Sequence, residues 1–428
     1  MNRSLFPIQN LRQLVSEDFL NGIFKKKDDY GEGTLLVNVW DLYRDEVVIE
    51  ENLERIKTTA EENERFQVAE GDVFFCRSSL KPEGVGWSCL IGELSEPAVF
   101  ECHLIRARVD YRKVLPAFLN YFVRSRFGTS YVRAKSVVTT MATIDQGTLY
   151  NLPVICPPIQ TQIKIVSVMD KARSQRRQKL AEADNLLASL DDYLLNAIGL
   201  DRPAEDNRKV FAMRVQDIRL QGRLNSDYFH PERILALRAM TTAAKKINCQ
   251  QLQNIATFER NQIKTPEANY LGLAHVQTHT GELTNASDTA TGNCFTFQRG
   301  DVLFARLRPY LNKVYCAEID GCCSPEFHVL RIRDTSSLLP DYLAVILRSK
   351  LILAQTIHMM TGNTHPRLAN EDVISLVIPI PGWEVQKQIA AEVQHRSEEA
   401  RRLRTEAERG WQDAKKWFEE QLLGSALL

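Results

Sequence analysis

The sequence predicts an α+β protein built as a tandem duplication: two mixed α/β domains, each followed by a long helix. Three observations lead there. Two stretches of roughly forty residues, one central and one C-terminal, keep helical apolar spacing with almost no helix breakers. The phrase GDVFFCR at 71–77 returns as GDVLFAR at 300–306. Each long stretch follows a short apolar strand that ends in proline. The chain has 428 residues, enough for two or three domains.

The central helix opens after Pro157 and Pro158 and meets no glycine until Gly199. Its apolar residues are Ile159, Ile163, Val166, Met169, Leu180, Ala183, Leu187, Leu190, Leu194 and Ile198. Their steps of three and four mark a narrow helical stripe. A basic patch of Lys171, Arg173, Arg176, Arg177 and Lys179 interrupts it. At about 1.5 Å per residue such a helix runs on the order of 60 Å, longer than a compact domain needs. The C-terminal stretch, Val385 to Leu423, repeats the pattern through Ile389, Val393, Arg396, Ala400, Leu403, Ala407, Trp411, Ala414, Phe418 and Leu422. That is a heptad seam with Gly410 as its weakest point. Each stripe is expected to bury itself on the other helix. The seam residues would be Ile163, Val166, Leu187, Leu190 and Leu194 on one side. Ile389, Val393, Leu403, Trp411 and Phe418 would face them.

The rest of the chain reads as two copies of one unit. ECHLIRAR (101–108) matches EFHVLRIR (326–333), with Glu, His and both Arg at one spacing. LPAFLNYFVRS (115–125) matches LPDYLAVILRS (339–349), a helix entered by proline and closed by Arg-Ser. LPVICPP (152–158) matches SLVIPIP (375–381), and each leads into a helix with Gln-Ile in its first turns, Gln162-Ile163 and Gln388-Ile389. The offset stays near 225 residues. The expected layout is a first domain at 1–156, the central helix at 157–200, a polar linker at 201–210, a second domain at 211–381 and the last helix at 382–428.

Composition narrows the class. Charged residues are 25% and hydrophobic ones 44%, as in soluble proteins. No apolar run approaches a membrane span, and the first residues lack a signal-peptide core, so a cytoplasmic location is expected. The nine cysteines form no Cys-x-x-Cys pair. Net charge is zero, so any DNA-binding face must be local.

Catalytic signatures are missing from the sequence. There is no Gly-rich phosphate loop and no G-x-S-x-G elbow. His275 and His279 sit four apart without a third metal ligand in view. Glu101/His103 and Glu326/His328 could be acid–base pairs, but their repetition favours a structural hydrogen bond. Cys156-Pro157-Pro158-Ile159 lacks the Asn or Asp and the aromatic residue of an amino-methyltransferase motif. The expectation is a non-catalytic chain with no metal and no cofactor of its own.

Binding residues are easier to find. Residues 299–370 hold nine Lys/Arg against six Asp/Glu, and residues 71–140 hold ten against six. The turn RLRPYLNK offers Arg306, Arg308, Tyr310, Asn312 and Lys313; its first-unit equivalent, RSSLKPEG, offers Arg77, Ser78, Ser79 and Lys81. A polar loop precedes the last strand of each domain. TTMATIDQG (139–147) carries Thr139, Thr140 and Gln146, and TGNTHPR (361–367) carries Asn363, Thr364, His365 and Arg367. Such side chains fork onto guanine, hydrogen-bond other base edges or hold phosphates. Each loop could equally be an ordinary turn.

With these parts in order, the chain resembles the specificity subunit of type I restriction–modification enzymes. The resemblance rests on GDVLFARLRPYLNK, on the arm RLNSDYFHPE (223–232) and on the proline-ended strand that twice enters a Gln-Ile helix. It implies two target-recognition domains that each read half of a bipartite duplex site. It implies that the long helices lie antiparallel as a coiled-coil spacer. It also implies two methyltransferase subunits, carrying S-adenosylmethionine, and restriction/translocase subunits as partners. The first unit departs from the pattern: its loop at 77–84 lacks Arg-Pro-Tyr-Leu-Asn, and no RLNSDYF stands near residue 1. An adaptor that uses the same scaffold without reading sequence is the alternative.

Overall fold

The computed structural model describes residues 4–138, 140–200, 208, 210–221, 225–243, 247–264, 269–290 and 292–424. The chain divides into two units, Met1–Gln178 with Glu406–Leu428, and Lys179–Thr405. The division falls inside both long helices, so each unit holds part of each. The reason lies in what the helix faces cover. Ile165 and Met169 share a buried cluster with Trp411, Phe418 and Leu422 under the first unit's sheet and helices. Leu194, Leu195 and Ile198 join Ile389 and Val393 in the core of the second unit.

The first unit is built on a four-stranded sheet. Its strands run in the order Leu20–Asn21, Leu104–Ala107, Val73–Cys76 and Ser88–Leu90. The middle strands are buried on both faces, which is why VFFC and LIRA read as continuous apolar runs. Strand Ile8–Asn10 pairs with Pro153–Ile155 and ties the chain's start to the entry of the central helix. The second unit repeats this sheet as Ala256–Glu259, Phe327–Ile332, Val302–Ala305 and Val314–Cys316. Its counterpart of the entry pair is Asn248–Gln251 with Val377–Ile380.

The duplication is therefore present in three dimensions, but its register differs from the sequence match. Val73 pairs with Ala107, whereas Val302 pairs with Leu330. Arg108 thus corresponds to Arg331, not to Arg333. The ion pairs agree: Arg108 Nε donates to Asp72 at 2.8 Å, and Arg331 Nε donates to Asp301 at 2.8 Å. The Glu-His-Arg-Arg match is displaced by two residues, and Glu101/His103 and Glu326/His328 are not equivalent pairs. His328 is buried at 5% exposure inside its strand, whereas His103 is exposed.

The helix entries need the same correction. Gln162 Oε1 accepts from Leu115 N–H at 2.9 Å, and its Nε2 donates to the carbonyls of Lys113 and Pro157 at 3.1 and 2.8 Å. Gln386 Oε1 accepts from Leu339 N–H at 2.9 Å, and its Nε2 donates to the carbonyls of Ser337 and Pro381, both at 2.9 Å. Gln386, not Gln388, is the counterpart of Gln162. Consequently Ile165 corresponds to Ile389, and Ile163 falls opposite the exposed Lys387. Ile163 is 45% exposed and Ile165 only 3%, so Ile165 replaces Ile163 in the seam.

The remaining seam positions are inward. Leu194, Ile389, Val393, Leu403, Trp411 and Phe418 are buried, and Val166, Leu187 and Leu190 are partly so. The central helix runs Ile159–Ala188, is interrupted at Ser189 and resumes as Leu190–Ile198. Gly199, at φ 68°, closes it in the left-handed conformation that a helix C-terminus favours glycine for. The C-terminal helix is continuous over Trp383–Leu423, through Gly410. In the second unit, Arg396 Nη1 donates to Ser189 Oγ at 2.8 Å and Arg404 Nη2 to Asp184 Oδ1 at 2.8 Å. Partners thus descend along one segment as they ascend along the other. The basic patch of the central helix has an intramolecular use. Arg173 and Arg177 each lie 3.5 Å from Asp45, and Arg176 lies 3.9 Å from Glu46. Among the described residues no helix is long and apolar enough to cross a membrane.

Candidate nucleic-acid interface

Each unit brings its two polar loops together beside the sheet. In the second unit the chain leaves strand Val302–Ala305 at Arg306, whose carbonyl accepts from Leu368 N–H at 3.0 Å. Leu307 bridges Arg367, and Arg308 N–H donates to the Pro366 carbonyl at 2.7 Å. In the first unit the Arg77 carbonyl accepts from Ile144 N–H at 2.9 Å. Ser78 and Ser79 pair with Thr143 and Ala142, which pair in turn with Val137 and Val138. The two constructions coincide residue by residue. Val137 opposite Thr143 corresponds to Thr361 opposite Arg367. The equivalent of loop 361–367 is therefore 137–143, two residues earlier than the expected 139–147.

The loops differ in what they expose. In the second unit Arg308, Tyr310, Asn363, Thr364 and His365 are exposed, and Arg306 and Arg367 are half-buried. Arg308 takes φ 49° and ψ 60°, a left-handed conformation that costs a non-glycine residue about 1–2 kcal/mol. Such backbone strain concentrates where a side chain must be aimed. Arg367 is held in a fork by Glu326, with Nε to Oε2 at 3.0 Å and Nη2 to Oε1 at 2.7 Å. That guanidinium keeps the Glu326 carboxyl below the usual carboxylate range.

Two expected contact residues turn inward instead. Asn312 is 6% exposed and its Nδ2 donates to the Arg348 carbonyl at 2.7 Å. Lys313 Nζ donates to the Leu273 carbonyl at 2.7 Å, and burial lowers its pKa. Both are consumed in holding the turn.

In the first unit Arg77, Lys81 and Thr140 are exposed; Thr139 lies outside the described residues. Ser78 is buried, with Oγ 2.5 Å from His103 Nδ1. Ser79 Oγ accepts from Lys81 N–H at 3.1 Å. Gln146 starts a short helix capped by Asp145, and its Nε2 donates to Asn21 at 3.1 Å. These three serve the loop's own architecture. What the sequence reading missed is that Leu80, Val137 and Val138 are 81%, 62% and 62% exposed. A Val-Val pair ordinarily signals a buried strand, so no sequence signal marked it.

The local charge excess is also reduced in three dimensions. Arg331 pairs with Asp301 and Glu259, Arg108 with Asp72 and Glu17, and Arg124 with Glu46. Arg348 Nη1 donates to the Val314 carbonyl at 3.0 Å. The cations left on the paired-loop faces are few, and they sit where the loops meet. Of the two histidines four apart, His275 accepts at Nδ1 from Gly272 N–H at 2.9 Å and closes a turn. His358 bonds to Glu232 at 2.9 Å and stacks on His230 at 3.8 Å.

Comparison with known proteins agrees with this construction. The family described as "Type I restriction modification DNA specificity domain" matches residues 244–398. The chain is 26% identical over 158 residues to the type I restriction enzyme StySPI specificity subunit of Salmonella potsdam, covering 37% of this chain and 34% of that protein. It is 24% identical over 154 residues to the EcoDI specificity subunit of Escherichia coli, covering 34% and 32%. These matches span about a third of the length of those curated relatives. The fold is similar along nearly the whole chain to the S subunit of a type I restriction–modification system from M. genitalium, with a TM-score of 0.51, 11% identity and coverage of 99% and 97%. It is similar also to a chain from a structural study of type I complex assembly, with a TM-score of 0.50, 14% identity and coverage of 97% and 96%. Residues 244–398 thus match the type I restriction modification DNA specificity domain, and the chain shares its fold along nearly its whole length with a type I S subunit.

Proposed function

We propose that this chain is the sequence-reading subunit of a type I restriction–modification complex. Residues 1–156 and 211–381 act as target-recognition domains, each reading one half of a bipartite duplex through its paired loops. The observation that carries the reading is that the same two-loop construction is built twice, by Arg77 with Ile144 and by Arg306 with Leu368. Loops of this kind present donors to base edges while the sheet holds them in place. The long helices pair antiparallel as a coiled-coil spacer and set the gap between half-sites, as dimer geometry does in other DNA readers. Their pseudo-symmetry offers two equivalent surfaces to two copies of a methyltransferase subunit. Restriction/translocase subunits join the same assembly. S-adenosylmethionine belongs to the methyltransferase partner, and this chain performs no chemistry itself.

The test is methylome sequencing of a host that expresses this chain with a cognate methyltransferase subunit, compared with that subunit alone. The expected result is a new bipartite methylated sequence that needs this chain. A stable complex with no new methylation would overturn the reading in favour of a non-reading adaptor.

A further inference from the structure

The register of the paired loops allows the two faces to be compared position by position. Where the second unit has Arg308, the first has Ser79. Opposite Gly362, His365 and Arg367 stand Val138, Met141 and Thr143. Arg308, His365 and Arg367 of the second unit thus correspond to Ser79, Met141 and Thr143, so nitrogen donors in one unit are replaced by hydroxyl or apolar side chains in the other. Leu80 follows the strand Ser78–Ser79 directly and is 81% exposed; that strand belongs to the same small sheet as Val137–Val138. Three aliphatic side chains this exposed around one small sheet present methyl groups to a partner on either face of the strand Val137–Val138. Arg77 and Lys81, exposed on either side of Leu80 in the chain, suit an anionic partner.

We infer that the two half-sites differ in chemistry. The first unit reads a thymine-containing half through methyl contacts with Leu80, Val137 and Val138. The second unit reads a guanine-containing half through Arg308, His365 and Arg367. In the major groove only thymine offers a methyl group, and guanine offers the two acceptors that an arginine fork fits. This rests on the reading of the chain as a DNA-recognition subunit.

The experiment uses the complex of this chain with its methyltransferase subunits and a duplex bearing the methylated bipartite sequence. Thymine is replaced by uracil, which removes only the methyl, in one half at a time. Guanine is replaced by 7-deazaguanine, which removes one acceptor, in the same way. Uracil is expected to weaken binding about four-fold per contacted methyl in one half only. That loss should vanish in V138S and L80S, which carry no methyl group and whose exposed positions leave the fold unaltered. Deazaguanine is expected to weaken binding about five-fold or more in the other half only, and that loss should vanish in R308A. Uracil without effect in either half, in a complex that still binds selectively, overturns the inference and assigns the exposed aliphatic residues to a protein partner. Assignment of both losses to one half also overturns it. Absence of sequence-selective binding altogether is a different failure, that of the recognition reading itself.

Discussion

The guanidinium of Arg367 lies in a fork on the Glu326 carboxylate, Nε at 3.0 Å and Nη2 at 2.7 Å. Glu326 opens the central strand pair of the second unit, and its carbonyl accepts from Arg306 N–H. One acidic residue thus fixes both arginine-bearing loops. E326A should release Arg367 and relax discrimination at one half-site by roughly 1 kcal/mol per base pair, leaving the other half-site intact. Competition binding against single-base variants of the site measures this. Equal relaxation in both halves would contradict the assignment. The Glu326 carboxyl is held below the usual range by Arg367, so its contribution is complete above the unfolded value of about 4.3 and fades as pH falls through the lower folded value. The part of discrimination that E326A removes should be flat with pH from neutral down to about 5.

His328 gives a pH dependence of the same sign, in stability and at higher pH. It is buried between the rings of Phe258 and Phe304, and burial, then the nearby Arg306 cation, push its pKa down to about 4. The unfolded chain, at about 6.5, takes up the proton first. Stability is therefore complete above about 6.5 and declines as pH falls toward the folded value, by on the order of 3 kcal/mol. Urea unfolding between pH 7 and pH 4.5 should show the decline, and H328F should flatten it relative to the wild type.

The buried glutamines offer a test of the repeat register. Q162A or Q386A leaves one backbone N–H and two carbonyls unpaired in a buried site, a loss of about 1–3 kcal/mol. Q388A removes an exposed side chain and should cost less than about 0.5 kcal/mol. The same register predicts about 2–4 kcal/mol for I165A and little for I163A. Thermal or urea melts of the five variants decide it, and equal losses for Gln386 and Gln388 would reject the register.

The spacer proposal predicts a change of gap. Inserting four residues, about 6 Å of helix, into either long helix should move the preferred separation of the half-sites without changing their sequences. Methylome sequencing of the insertion variant reads both quantities at once. Retention of the original gap would remove the helices from that role.

The sequence by itself determined the duplication, the two long helices and the strands and helices that repeat. Those features depend on local chemistry: turn residues before apolar runs, proline at helix starts, and three-four spacing of aliphatic residues. They survive in isolation, so GDVFFCR and GDVLFAR were legible as the same strand. Only the tertiary structure decided how the copies align. The shift between equivalent residues falls from 241 at Leu11 and Leu252 to 229 at Val73 and Val302, then to 223 at Arg108 and Arg331 and 224 at Gln162 and Gln386. Loops of different length absorb the difference, and the match ECHLIRAR/EFHVLRIR concealed it by repeating its letters two residues out of place. Hydrogen-bond partners, not letters, fix a strand's register. The same holds for the candidate site. Arg308, Asn312 and Lys313 are indistinguishable in sequence as donors, yet Asn312 and Lys313 spend their hydrogen bonds on the carbonyls of Arg348 and Leu273, while Arg308 is left facing solvent. Which donor a fold consumes and which it presents depends on carbonyls contributed by distant segments, and that is information a local reading of the chain does not contain.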